Sequence, residues 1–233
     1  MITFKEQTDL FKLIGRELKR KIECFAIGGS AMMFYGAKET TKDVDLVFMK
    51  KEDFDLMKKT LYKIGFNEKK DIVKIFEHYE VAEKKPVMME GRDTRFDLFL
   101  EEVISFKISD SILERAREIH EFGNLIIKTV NPEDIILLKC ATEREKDRED
   151  AFELIKRFNI GWDIIIKESL HQTGIGGDVF PVFLFDFLFE LKHKFKADIP
   201  DKVLEKIRDL GEQEMIKAIK PGKHIKVTRY KKK

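Results

Sequence analysis

The stretch that most constrains this chain is 27–48, IGGSAMMFYGAKETTKDVDLVF. Val44, Leu46, Val47 and Phe48 are strand formers, yet Asp43 and Asp45 sit among them, and aspartate is depleted in strands and seldom buried without a partner. At i and i+2 on a strand their side chains leave from one face, close enough to repel unless a cation joins them. Upstream, Gly28 and Gly29 break the apolar strand CFAIG, and SAMMFYG opens a short helix at or near Ser30, a good N-cap residue. Such a strand-to-helix turn frees backbone N–H groups and points a helix dipole at an anion such as phosphate. Neither GxxxxGKS/T nor GxGxxG occurs, so the turn alone does not specify a nucleotide.

A third acid, Asp97, interrupts another apolar run, RFDLFL at 95–100. Mg²⁺ takes one or two carboxylates and completes its shell with water and substrate phosphates, and a second ion needs a further acid. The pattern therefore predicts Asp43, Asp45 and Asp97 on adjacent strands, converging on divalent metal beside the Gly28–Ser30 turn. An edge strand whose charges discourage aggregation is the plainer reading of Asp43 and Asp45, but it leaves the turn and Asp97 unexplained.

Helix and strand alternate to about residue 130. Apolar spacing predicts helices at 9–22 and at 52–64, the latter stopped by Gly65, and strands at 71–81, 95–100 and 125–130. Asn131, Pro132, Glu133 and Asp134 combine a cap, a proline at the first helical position and acids in the first turn, so a helix starts there. The remainder of the chain is helical in period, with GIGG at 174–177 read as a flexible turn. The expected organisation is an α+β core over 1–130, a mixed sheet flanked by helices, and a mainly helical domain over 131–233 ending in a basic tail. That tail, KPGKHIKVTRYKKK, is either a solvated run or a phosphate-backbone contact. The six phenylalanines between 180 and 195 form either core or a surface buried by a partner.

The 45 basic residues nearly cancel the 43 acidic ones, so bulk charge selects no partner, while the Lys- and Glu-rich balance resembles that of heat-adapted proteins. Cys24 and Cys140 lie far apart in apolar surroundings, which fits a reducing cytoplasm. Residues 179–191 are broken by Pro181 and Asp186 and fall short of the roughly 20 apolar residues a membrane span needs. The start of the chain has no signal-peptide pattern, and neither HExxH nor GxSxG occurs, so zinc and serine-hydrolase chemistry have no support.

The succession IGGSAMMFYG, TKDVDLVF and RFDLF resembles the polymerase-β-like nucleotidyltransferase superfamily, in particular its small prokaryotic members, which include nucleotidyltransferase-type toxins of toxin–antitoxin pairs. The resemblance covers roughly 24–100. It implies a nucleotidyltransferase-type sheet and transfer of a nucleoside monophosphate from ATP or another NTP to a hydroxyl on an RNA end, a protein or a small molecule. It implies that Gly28, Gly29 and Ser30 hold the triphosphate. Asp43 and Asp45 would ligate Mg²⁺, or Mn²⁺ in its place, and Asp97 a second ion. Arg95, on the face of Asp97, and Lys42 are candidate phosphate or base contacts. In related members a helix after the sheet reads ED, an apolar run, Lys and a basic-acidic cluster. PEDIILLKCATEREKDRED supplies Lys139, Arg144, Lys146, Asp147 and Asp150, either for phosphate or as ion pairs on a helix face. The rival implication is a catalytically silent regulator that binds a nucleotide, a cognate antitoxin-like protein or a second copy of itself.

Overall fold

The computed structural model describes residues 1–69, 86–91 and 93–219. The strand expected at 71–81 and the basic tail lie outside these residues. The chain divides into two compact units, Met1–Ile104 with Ile108–Asn131, and Ser105–Lys107 with Pro132–Lys233.

In the first unit a short strand β1 (Ile2–Thr3) leads into helix α1 (Phe4–Glu17), followed by β2 (Ile22–Ala26), α2 (Gly28–Phe34), β3 (Thr40–Thr41), β4 (Asp43–Phe48), α3 (Lys51–Lys63) and β5 (Asn67–Glu68). Then come β6 (Val87–Gly91), β7 (Thr94–Leu100), β8 (Glu102–Val103), α4 (Asp110–Arg115), β10 (Glu118–Phe122) and β11 (Leu125–Thr129), with β9 (Phe106–Lys107) belonging to the second unit. Among the described residues seven strands form one mixed sheet in the order β10-β11-β2-β4-β7-β6-β5. Within it β11 runs parallel to β2, and β4 parallel to β7.

The α1 helix starts before residue 9 because Thr3 and Glu6 make a reciprocal capping box, Glu6 N–H donating to Thr3 Oγ1 and Thr3 N–H to Glu6 Oε2. It stops at Glu17, where Leu18 turns extended, so Ile22 opens β2 instead of closing the helix. Gly65, in the left-handed region at φ 94°, follows the end of α3 as its C-cap glycine.

Period-two alternation splits the central strands by face. Cys24, Ala26, Val44, Leu46, Phe48, Phe96 and Leu98 are buried on one face. There α3 packs through Phe54 on Phe48, ring centroids 5.9 Å apart, and α1 through Phe11 on Phe122 at 5.5 Å. Burying each such side chain contributes roughly 1.5–3 kcal/mol. Strand β4 is thus held by its apolar back, and its front can carry two carboxylates without loss of the fold.

The second unit contains α5 (Pro132–Lys139), α6 (Glu145–Arg157), α7 (Trp162–Gly176), α8 (Phe180–Lys194) and α9 (Asp201–Ile219). Helix α7 runs through Gly174 and Gly176 and ends only at Gly177, whose φ of 87° makes the left-handed cap. The expected GIGG turn is therefore mostly helix. Phe180, Phe183 and Phe187 are buried in α8, and Phe180 stacks near Phe106 at 4.4 Å, while Phe189 is exposed. Both cysteines are buried and free, and burial pushes the Cys24 thiol well up. Among the described residues no helix is long and apolar enough to cross a membrane.

Candidate functional site

Strands β4 and β7 pair in a register that sets Asp43 opposite Arg95 and Asp45 opposite Asp97. Directly opposed residues share a face, so all four side chains stand on the front of the sheet. The cation that meets Asp43 of β4, and Asp97 across from Asp45, is Arg95. Its Nη2 lies 2.6 Å from Asp43 Oδ2 and donates to Asp97 Oδ2 at 2.9 Å. Its Nε lies 2.7 Å from Asp97 Oδ1, out of line for a hydrogen bond, so that approach is charge pairing. Burial works against the guanidinium charge, but Asp97, then Asp43, a hydrogen bond to Asp97 and finally Asp45 outweigh it and hold the Arg95 pKa above its ordinary value.

Gly28–Ser30 form the first turn of α2, whose cap is Ile27 and not Ser30, and this turn is fixed to the same strand at Asp45. The Asp45 N–H donates to Ser30 Oγ at 3.2 Å, and its carbonyl accepts from the Ile27 N–H at 3.2 Å. Ser30 is fully buried, and its hydroxyl holds the start of α2 to the strand. Gly28 adopts φ +54°, and a Cβ there would come within 2.8 Å of Asp45 Oδ2. A Cβ on Gly29 would meet Thr41 Oγ1 at 2.5 Å. Both glycines are therefore required by the close approach of the turn to the acidic strand.

The same gap shows Lys38, whose stem passes 3.8 Å from where a Gly29 Cβ would be, and Thr41, whose hydroxyl donates to the Asp43 carbonyl at 3.1 Å. Neither was among the expected site residues. Lys42 is exposed beside β4.

Carboxylate oxygens from adjacent strands are the donor type a hard divalent cation takes, and those of Asp43 and Asp97 already share a positive group, Arg95. The expected convergence of three bare carboxylates is nevertheless altered. Among the described residues no three acidic, His or Cys groups stand together as a metal cage, and Arg95 occupies the space between Asp43 and Asp97.

In the second unit, Lys139 Nζ lies 2.8 Å from both Asp147 Oδ1 and Asp150 Oδ2. Arg144 Nε lies 2.7 Å from Asp147 Oδ2, which also accepts from the Thr142 hydroxyl. Burial alone would raise the Asp147 carboxyl, but the charges of Lys139 and Arg144 and the hydrogen bonds of Lys139 and Thr142 prevail and hold its pKa at about 2. Lys139 is buried here between two carboxylates, and Arg144 is half exposed.

The family described as "Nucleotidyl transferase of unknown function (DUF2204)" matches residues 6–217. No curated protein matches the chain. A crystal structure of ANT(2")-Ia in complex with adenylyl-2"-tobramycin aligns with a TM-score of 0.41 and 17% identity, covering 79% of this chain and 98% of that one. Likeness at that level supports no assignment of activity or substrate.

Proposed function

The chain belongs to this nucleotidyl transferase family, and from that premise we propose that the acidic front of β4 and β7 is the transfer centre of a Mg²⁺-dependent enzyme. It would move a nucleoside monophosphate from an NTP to an acceptor hydroxyl and release pyrophosphate. The observation that carries the reading is the four-residue block of Asp43, Asp45, Arg95 and Asp97, fixed by strand register and joined through Asp45 to the glycine turn.

Asp43, Asp45 and Asp97 would hold the metal, which when bound neutralises phosphate charge and orients the attacking oxygen. The chain's own residues do the positioning. The Gly28–Gly29 backbone lies hard against Asp45 and Thr41, where any side chain would strike them, so the start of α2 sits directly beside the acidic strand, where a triphosphate held by its N–H groups would reach the acids. Lys38, whose stem passes Gly29, would be the nearest lysine to that approach. Asp97, the most buried of the three acids by its strand position, would accept the proton of the incoming hydroxyl at its carboxylate. Because the two strands are paired with each other and packed from behind, the acids are placed before substrate arrives, and catalysis of this kind is mostly placement and charge.

The test is to incubate the full chain and Mg²⁺ with each α-³²P-labelled NTP and separate fractions of total RNA, total protein and small-molecule extract. Label is expected in one fraction with the wild type and in none with Asp97→Asn. Labelling by the variant at the wild-type rate would exclude this site.

A further inference from the structure

Resting on the reading of this face as a metal-dependent centre, the geometry allows a sharper statement about Arg95. A carboxylate oxygen that accepts from, or lies against, a guanidinium at 2.6–2.9 Å has its lone pairs aimed at that group. A divalent cation needs the same lone pairs, and two positive centres sharing them repel. The pairing is partly shielded from water, with the Arg95 side chain 24% exposed and that of Asp97 10%, so solvent does not screen the competition away. The planar fork of arginine also suits this place in a way a lysine point charge does not, because it reaches both strands at once, Asp43 on β4 and Asp97 on β7. Its long stem and residual exposure give the head group somewhere to go when displaced.

We propose that Arg95 is a resident counter-cation: a positioning residue that holds Asp43 and Asp97 together while no metal is bound and releases at least one of them when a divalent cation enters. The acids then never face one another bare, and metal entry is coupled to freeing a guanidinium on the same face, where it can meet the negative charge of a polyphosphate.

Three roles for Arg95 give three different outcomes. A residue that only braces the strands lowers stability when lost but leaves metal affinity where it was. A phosphate ligand alone changes NTP affinity and leaves metal affinity unchanged. A counter-cation opposes the metal, so its removal lowers stability without metal and tightens metal binding.

The experiment titrates the full chain with Mn²⁺, reading free Mn²⁺ by electron paramagnetic resonance, and records the melting temperature with and without the ion. It compares wild type, Arg95→Met, Arg95→Lys and Asp45→Asn. The metal-free Arg95→Met protein is expected to melt below wild type. Its Mn²⁺ Kd is expected to fall by about tenfold or more, since a unit charge a few ångströms from a divalent ion repels it by at least that much even at the dielectric constant of water. Mn²⁺ then raises its melting temperature by more than it raises that of wild type. Arg95→Lys falls between the two, and carries the test by itself if Arg95→Met does not fold. Equal or weaker Mn²⁺ binding by the Arg95 variants, in a wild type that binds and an Asp45→Asn that does not, overturns the counter-cation alone. No Mn²⁺ binding by any of the four overturns the metal reading and the counter-cation with it.

Discussion

Among the described residues, two clusters of opposed charge invite comparison, one in each unit. On the sheet, Asp43, Asp45 and Asp97 crowd one guanidinium, part exposed, with one of its close contacts misaligned. In the helical unit, Lys139 and Arg144 meet Asp147 and Asp150, with three of the four side chains nearly buried. The first arrangement has more negative than positive groups on one face, and the second is balanced. Buried charges tolerate removal from water only when every one is paired. The helical cluster meets that rule and ties the end of α5 to α6 across the 140–144 turn. The sheet cluster instead gathers three carboxylates around one guanidinium on a single face, and the proposed function gives that crowding a use. The comparison separates charges that close a helical unit from charges that, on the proposed function, would meet a ligand.

The difference can be broken by mutation. Lys139→Met leaves Asp147 and Asp150 buried without their shared cation and is expected to cost about 3–5 kcal/mol in urea unfolding. A midpoint equal to wild type would remove the structural role assigned to that cluster.

Acid titration sharpens the same point. The Asp147 carboxyl titrates at about 2 in the folded chain against its ordinary 3.8. A lowered folded value means that its contribution is complete above the ordinary value and is lost as pH falls through about 2. The scale is roughly 2 kcal/mol, and unfolding free energy measured from about pH 5 downward should show that loss in wild type and not in Lys139→Met.

On the sheet, Gly28→Ala forces an L residue into the left-handed region and pushes on Asp45 Oδ2. The expected cost is about 1–2 kcal/mol, read as a lowered melting temperature, together with loss of NTP binding that a merely strained turn elsewhere would not produce.

Much of this was legible in the sequence, for physical reasons that can be named. Asp43, Asp45 and Asp97 stood out because carboxylates violate the apolar pattern of a central strand, and period two alone put Arg95 on the face of Asp97. The partner choice of Arg95 was not legible, because it depends on the β4–β7 register. Lys38 and Thr41 lie in the short connection between α2 and β4, where no periodicity places a side chain, so their approach to Gly29 emerges only in three dimensions. The residues from Lys139 to Asp150 fit both a phosphate-binding and an ion-pair reading, and burial, which residue types do not reveal, is what shows the pairing. Helix α1 began early because its cap, Thr3 with Glu6, precedes the first run of apolar spacing. Helix α7 was hidden by the glycines at its end. Strand β10 was missed because EIHEF is an edge strand with little burial to impose a pattern.

The smallest stability effect goes with the most direct test. Asp45→Asn keeps the shape of the side chain and changes one of the three charges on this face, so its unfolding free energy in urea should lie within about 1 kcal/mol of wild type. Transfer of label from α-³²P-labelled NTP in the presence of Mg²⁺ should fall by about a thousandfold or more, a barrier change of about 4 kcal/mol. A variant that unfolds early yet still transfers label would reverse the assignment, making the sheet cluster part of the scaffold.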